Sequence, residues 1–278
     1  MVPIEKLYVK KDGESEFEIN DKISGIEAMG ITKVAPQLTP ISKQVVGSDG
    51  ELTYGAYYGA STVKAKVYLA GKDVYDYKLL VSELYRLLYS RKPIRIRDEA
   101  EPNICYWVYV KPMTITTINF THGTADIEFT NPSGFRYSLK NSDELSGTDY
   151  QFGMNATNND SIHGEIKYKF DSNNFWIYND SDITVDPYIN RHNLKVTLKC
   201  NGKPKIENQT TGTSIAVNNN ISTNNTFVLN GVDSFLDDKD YGVNTDLGYL
   251  TLAPGWNNIN ISGASDIDVK FSFPFIYL

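Results

Sequence analysis

Hydrophobic and polar positions alternate with a period of two over residues 62–69. Val63, Ala65, Val67 and Leu69 fall on one side, Lys64, Lys66 and Tyr68 on the other, which predicts a half-buried strand. After Ala70-Gly71-Lys72 the period changes. Tyr77, Leu80, Leu84, Leu87 and Leu88 recur at spacings of three and four, which predicts an amphipathic helix over 73–91. Asp73 is placed to cap it, its carboxylate accepting from the orphan N–H groups of the first turn. Asp76 adds negative charge near the positive end of the helix dipole, and Arg91 and Lys92 fall at the negative end. Pro93 disfavours helical geometry at Lys92. Alternation then returns, with Ile94 and Ile96 opposing Arg95 and Arg97. A single helix between two such strands belongs across the apolar face of their sheet.

The remaining patterns are all β. Residues 4–9 and 16–19 read as a short strand pair around the turn Lys11-Asp12-Gly13. Residues 25–61 are less regular, interrupted by Pro36 and Pro40 and punctuated by Gly47, Gly50, Gly55 and Gly59. Ser48-Asp49-Gly50 reads as a turn. Tyr54, Tyr57 and Tyr58 lie among these glycines, in either an arm that packs on something else or an ordinary surface hairpin. Strands are expected at 104–111, 113–120 and 125–130, an antiparallel meander with a turn at His122-Gly123 and a stop at Asn131-Pro132-Ser133-Gly134. Residues 141–162 are polar and poor in aliphatics, as a linker is. Beyond them, strands are expected at 165–170, 193–200, 214–217, 226–229, 249–252, 257–261 and 266–275, short and separated by Asn/Gly/Asp turns, as in a β-sandwich. The fold class is therefore mostly β with one helix. An α+β domain over 1–140 precedes a linker at 141–162 and an all-β domain over 163–278.

Bulk composition agrees with this division. A chain of 278 residues favours two domains, and 41% hydrophobic residues can build a core. The longest apolar run, 104–110, is too short to cross a bilayer as a helix. No apolar signal-peptide region follows Met1, so synthesis in a cytoplasm without export by the general route is expected. The net charge of -7 argues against nucleic acid as the main partner. The charge is uneven, with 18 Lys+Arg against 17 Asp+Glu in residues 1–140 and 9 against 17 in residues 141–278. Asparagine rises from 4 to 21 between the same halves, a second sign of two composition regimes.

Candidate chemistry is sparse. The sequence holds no phosphate loop and no dinucleotide fingerprint. His122, His163 and His192 lack metal-ligand spacing to each other or to Cys105 and Cys200, which read as reduced core thiols. Asp233, Asp237, Asp238 and Asp240 form an acidic patch. Its Asp238-Lys239-Asp240-Tyr241-Gly242 run echoes a calcium loop but lacks the downstream bidentate Glu, so it reads as a solvated loop. Three acceptor patterns, at Asn155, Asn208 and Asn260, follow from Asn and Thr richness. No catalytic, cofactor-binding or metal-binding residue is assigned.

Taken in order, several stretches resemble one family. They are Gly47-Ser48-Asp49-Gly50-Glu51-Leu52-Thr53-Tyr54-Gly55, Tyr58-Gly59, the Val63 to Leu69 strand and the helix. Then come Ser90-Arg91-Lys92-Pro93-Ile94-Arg95-Ile96, Cys105-Tyr106-Trp107-Val108 and Leu252-Ala253-Pro254-Gly255-Trp256-Asn257-Asn258-Ile259. The chain looks like a distal tail protein of the long, non-contractile-tailed phages that infect Gram-positive bacteria. The resemblance implies an N-terminal split β-barrel with one helix and a C-terminal galectin-like β-sandwich. It further implies a homohexameric ring at the virion tail tip, made in the host cytoplasm. That ring would continue the tail tube protein, receive the tail-associated lysin or tip protein, and serve receptor-binding proteins, with no enzymatic role, no cofactor and no membrane partner. Tyr54, Tyr57 and Tyr58 are then the candidate subunit or tail-tube interface. The competing class is a lectin-like module, in which Trp176 or Trp256 would stack on a sugar of the host cell wall. An enzyme ranks third, since a fold alone licenses no activity.

Overall fold

The computed structural model describes residues 6–145 and 166–278. The chain divides into two compact units, one running to Arg136 and including Leu278, the other spanning Tyr137–Tyr277. Both are dominated by antiparallel strands, and one long helix lies in the first, so the mostly β reading with a single amphipathic helix holds.

The first unit begins with β1 (Leu7–Lys10) and β2 (Phe17–Glu18), paired around the Lys11–Gly13 turn. A single helical turn, α1 (Ile19–Lys22), leads to β3 (Ile26–Lys33). Next come β4 (Leu38–Lys43), β5 (Leu52–Tyr58), β6 (Ser61–Ala70) and α2 (Val74–Leu88). Strands β7 (Ile94–Asp98), β8 (Ile104–Val110), β9 (Ile115–Thr117) and β10 (His122–Asn131) follow. The hydrogen-bonded path runs β2-β1-β7-β8-β10-β6-β3, and β9 also pairs with β10. The alternating residues of β6, β7 and β10 meet Tyr77, Leu80, Leu84 and Leu88 of α2 in one core cluster.

The caps of α2 explain its limits. Asp73 accepts from the N–H groups of Tyr75 and Asp76 at 2.8 Å each, and Asp76 accepts in return from Lys72 N–H at 2.8 Å. The helix stops at Leu88, three residues earlier than the periodicity predicts. The Lys11 ammonium, not Arg91 or Lys92, covers the last turn, donating to Arg86 O at 2.7 Å. Tyr89 turns extended, and its hydroxyl donates to Lys111 O at 2.9 Å.

Two expectations in the meander are corrected. The 113–120 strand shrinks to β9, and His122-Gly123 is the start of β10 rather than a turn. The turn is made one step earlier by Asn119, whose side chain accepts from Thr121 N–H at 2.9 Å. Gly123 is there for proximity: a Cβ at this position would overlap the Tyr77 hydroxyl of α2.

The second unit opens within β11 (Arg136–Ser138), which pairs with the closing strand β20 (Ile276–Tyr277). Strands β12 (Lys169–Phe170), β13 (Asn174–Asn179), β14 (Lys195–Asn208), β15 (Thr213–Ala216) and β16 (Phe227–Asn230) come between. They are followed by β17 (Asp233–Leu236), β18 (Lys239–Asp240) and β19 (Gly255–Ser272). The path is β12-β19-β14-β16-β17-β18, with β13 on β19 and β15 on β14.

Here the sequence reading needs four corrections. The strands expected at 257–261 and 266–275 are one strand, β19, paired along β14 through register shifts beside Gly202. Gly202, paired with Ala264, and the neighbouring Gly263 have φ of 126° and 75°, so both strands bulge where a turn was expected. Pro274 cannot extend the ladder, and β19 ends at Ser272. Residues 249–252 contribute only a bridge from Leu252 to Val185. Strand β13 and the β17–β18 hairpin have no counterpart among the expected strands. Residues 141–145, expected in the linker, are built into this unit: Ser142 N–H donates to Phe273 O at 2.8 Å. The rest of that linker, with His163, the Asn155 acceptor and the start of the 165–170 strand, lies outside the described residues.

Candidate assembly surface

Residues between β3 and β6 do not join the main sheet. Strands β4 and β5 form a two-stranded sheet of their own, with Leu38 opposite Tyr58 and Lys43 opposite Leu52. A register shift at Ile41/Ser42 leaves Tyr54 as the extra residue of a bulge. Register puts Leu38, Pro40, Ala56 and Tyr58 on one face, and Ile41, Leu52 and Tyr57 on the other. Both faces are thus apolar. Tyr54, Tyr57 and Tyr58 are 68%, 56% and 40% exposed. The base is fixed by Gly59 N–H donating to Gln37 O at 2.7 Å and by the Tyr58 ring standing edge-on to Phe135 at 5.6 Å. A free two-stranded hairpin is marginal in water, and this one exposes apolar residues on both sides.

Trp176 of β13 pairs with Asn258 of β19, and Tyr178 pairs with Trp256. The two tryptophans therefore share a face of this ladder. Both are half-buried, and Tyr178 meets the Trp256 ring edge-on at 5.1 Å.

The titratable groups are occupied structurally. Burial pushes the Cys105 thiol up to about 12 and the Cys200 thiol up to about 11, so both are protonated at neutral pH. Both are buried. Burial lowers His192, whose Nδ1 accepts from Asp186 N–H at 3.1 Å. His122 Nδ1 lies 3.0 Å from the Asn119 carboxamide oxygen and 2.8 Å from the Thr121 hydroxyl. Asp237 and Asp238 make the β17–β18 turn with φ of 49° and 62°. The Asp237 carboxyl is held below its usual range by the backbone N–H of Thr226 and the Asn225 amide. Asp240 accepts from Gly242 N–H at 3.0 Å. Among the described residues no group of three or more His, Cys, Asp or Glu is placed to hold a metal.

One cluster escaped the sequence reading. Glu16 accepts from Arg95 at 2.7 Å and from Arg97 Nε at 2.9 Å, and the Arg97 guanidinium lies 3.9 Å from the centre of the Tyr8 ring. Burial pushes the Glu16 carboxyl up, but the hydrogen bonds from Arg97 and Arg95 outweigh it and hold the group below its usual range. The only signal in sequence is Arg-X-Arg on the outward side of β7.

Residues 13–131 match the family model described as the phage tail protein RIFT-related domain. That match spans most of the first unit. The matched residues include the hairpin, the helix and most of the first sheet. Over the whole chain, the fold is that of the crystal structure of the Dit protein of phage SPP1. That structure is described as a paradigm of the hub adsorption apparatus in phages infecting Gram-positive bacteria. The TM-score is 0.70 at 10% identity, covering 97% of this chain and 99% of that one. A chain of the phage P2 baseplate in its activated conformation aligns at TM-score 0.49 and 11% identity, over 98% of each chain. None of the curated proteins matches the sequence. The resemblance to the distal tail family therefore holds.

Proposed function

We propose that the chain is a structural hub of a phage tail tip in the virion, with no catalytic role of its own. In this reading, six phage-tail domains close into a ring that joins the tail tube protein to the tail-associated lysin or tip protein. The second unit folds as an independent galectin-like sandwich on the outside, where receptor-binding proteins attach. The observation that carries the reading is the β4–β5 hairpin on a phage-tail domain. A closed ring needs one patch of each subunit to meet a different patch of the next. A hairpin apolar on both faces supplies the first of these, and tyrosines suit it because each buries a large ring while its hydroxyl stays bonded.

Light scattering on the full chain tests this. Six copies of the 31.3 kDa chain give a mass of about 188 kDa. Replacing Tyr54, Tyr57 and Tyr58 together by serine should lower the mass or the docking on the tube while leaving the thermal midpoint of the subunit nearly unchanged. A monomer at every concentration, together with absence of the protein from purified tails, would refute the hub. That outcome would favour a carbohydrate-binding module, supported by Trp176 and Trp256 sharing one face and read by sugar-dependent quenching of tryptophan fluorescence.

A further inference from the structure

The outward side of the β1–β7–β8 ladder carries a second surface, distinct from the hairpin. Register sets Tyr8 beside Arg97 and Lys10 beside Arg95, and it sets Arg95 beside Trp107. Two guanidinium groups share the single Glu16 carboxylate, and their side chains are only 15–16% exposed. The cluster therefore holds a net positive charge with little water around it. Arg95 Nε is buried without a hydrogen-bond partner among the described residues. Beside this incomplete ion cluster, Trp107 and Tyr109 are 42% and 41% exposed. Arginine, tryptophan and tyrosine are the side chains that dominate binding energy at protein interfaces.

The second unit carries a feature of matching chemistry. The loop after β18 exposes Val243 at 91% and Leu247 at 76%. Leu247 sits at φ 57°, a left-handed conformation that a leucine adopts only where its surroundings impose it. They do: Leu247 N–H donates to Thr245 Oγ1 at 3.2 Å, and that hydroxyl donates to Gly242 O at 2.8 Å. Asp246 ties the loop down by accepting from Ala216 and Gly248 N–H at 2.9 and 3.0 Å. Two apolar side chains are thus presented on a rigid loop flanked by the exposed carboxylates Asp240 and Asp246.

We propose that the Arg95/Arg97–Trp107–Tyr109 face of one copy receives the Asp240–Leu247 loop of a second copy. Val243 and Leu247 pack on the two aromatic rings, and the loop's aspartate carboxylates lie toward the net positive charge of the guanidinium pair. Charge favours this occupant, because residues 141–278 carry 9 Lys+Arg against 17 Asp+Glu, whereas residues 1–140 carry 18 against 17. The contact is heterologous, so it joins copies head to tail. It does not rest on the hub reading.

The test uses the full chain in which Tyr54, Tyr57 and Tyr58 are serine, so that the hairpin is silent. Sedimentation velocity should show concentration-dependent association that weakens as salt is raised. Trp107→Ser with Tyr109→Ser, and separately Val243→Ser with Leu247→Ser, should each weaken association by at least about tenfold. Circular dichroism should be unchanged, since all four side chains are exposed. Mixing the two variants restores one intact face and one intact loop, so pairs should form and chain growth should stop there. A background protein that stays monomeric, a variant that still associates like its background, or a mixture that does not pair would each overturn the proposal.

Discussion

Leu84 is the sharpest test of how the first unit is held together. It lies mid-helix on α2, is fully buried and belongs to the core cluster formed with the alternating residues of the sheet. Leu84→Ala removes the transfer energy of the deleted groups and leaves a cavity, together about 2–5 kcal/mol. The backbone there is hydrogen-bonded helix anchored at Asp73, which limits collapse into the void, so the loss should fall in the upper half of that range. For a unit of this size each kcal/mol moves the thermal midpoint by roughly 2–8 °C, so a drop of about 7 °C or more is expected. Leu79 on the same helix is exposed, and Leu79→Ala should change stability by less than about 0.5 kcal/mol. Urea unfolding followed by circular dichroism measures both. Equal losses for the two variants, or no loss for Leu84→Ala, would refute the assigned helix face.

Other outcomes follow from single contacts. Gly123→Ala should destabilise the domain by bringing a methyl group against the Tyr77 hydroxyl, and Tyr77→Phe, which removes a buried hydroxyl without a partner among the described residues, should relieve much of that loss in a double-mutant cycle. Because folding holds the Glu16 carboxyl below its usual range, its stabilisation is present in full above an unfolded value of about 4.3 and is lost as pH falls through the folded value. Glu16→Gln should therefore flatten the fall in stability between neutral and acid pH, and an unchanged profile would exclude the role. Cys105 and Cys200 should resist a thiol reagent in the native protein and react once it is unfolded, as their burial requires. A fragment of residues 137–278, which keeps the β11 pairing with the closing strand and the Ser142 bond to Phe273, should give a soluble β spectrum without the α2 helix signal, and an insoluble or strongly helical fragment would deny the second unit its independence.

The β6–α2–β7 segment was legible because local and global demands agree there. One face of each element is buried, so the periods of two and 3.6 appear in the sequence, and Asp73 and Pro93 mark the limits. Strand β13 was not legible for the opposite reason. Phe175, Ile177 and Tyr178 are all buried and Trp176 is half-buried, so no alternation survives. Strand β19 was split in two because Ser262-Gly263-Ala264 looks like a turn, and only pairing with Gly202 shows it to be a bulge. At the candidate surfaces, the tyrosines of the hairpin stood out among glycines. Glu16 and its two arginines did not, because they meet only when β1 and β7 pair across nearly ninety residues.

That pairing has a consequence for how the protein is made. Strand β1 is held on one side by β2 and on the other by β7, with Leu7 opposite Asp98 and Lys10 opposite Arg95. Leu7 and Val9 leave the ribosome while their second partner, β7, is still to be translated. At about 5–20 residues per second the wait is roughly 5–20 s, far longer than collapse takes. For that interval the nascent chain exposes a strand edge and two core side chains while sibling chains are being made on the same message. Polysome crowding, rather than the stability of the finished fold, should then set the yield, and slowing initiation at its message should raise the soluble fraction more than any single core substitution.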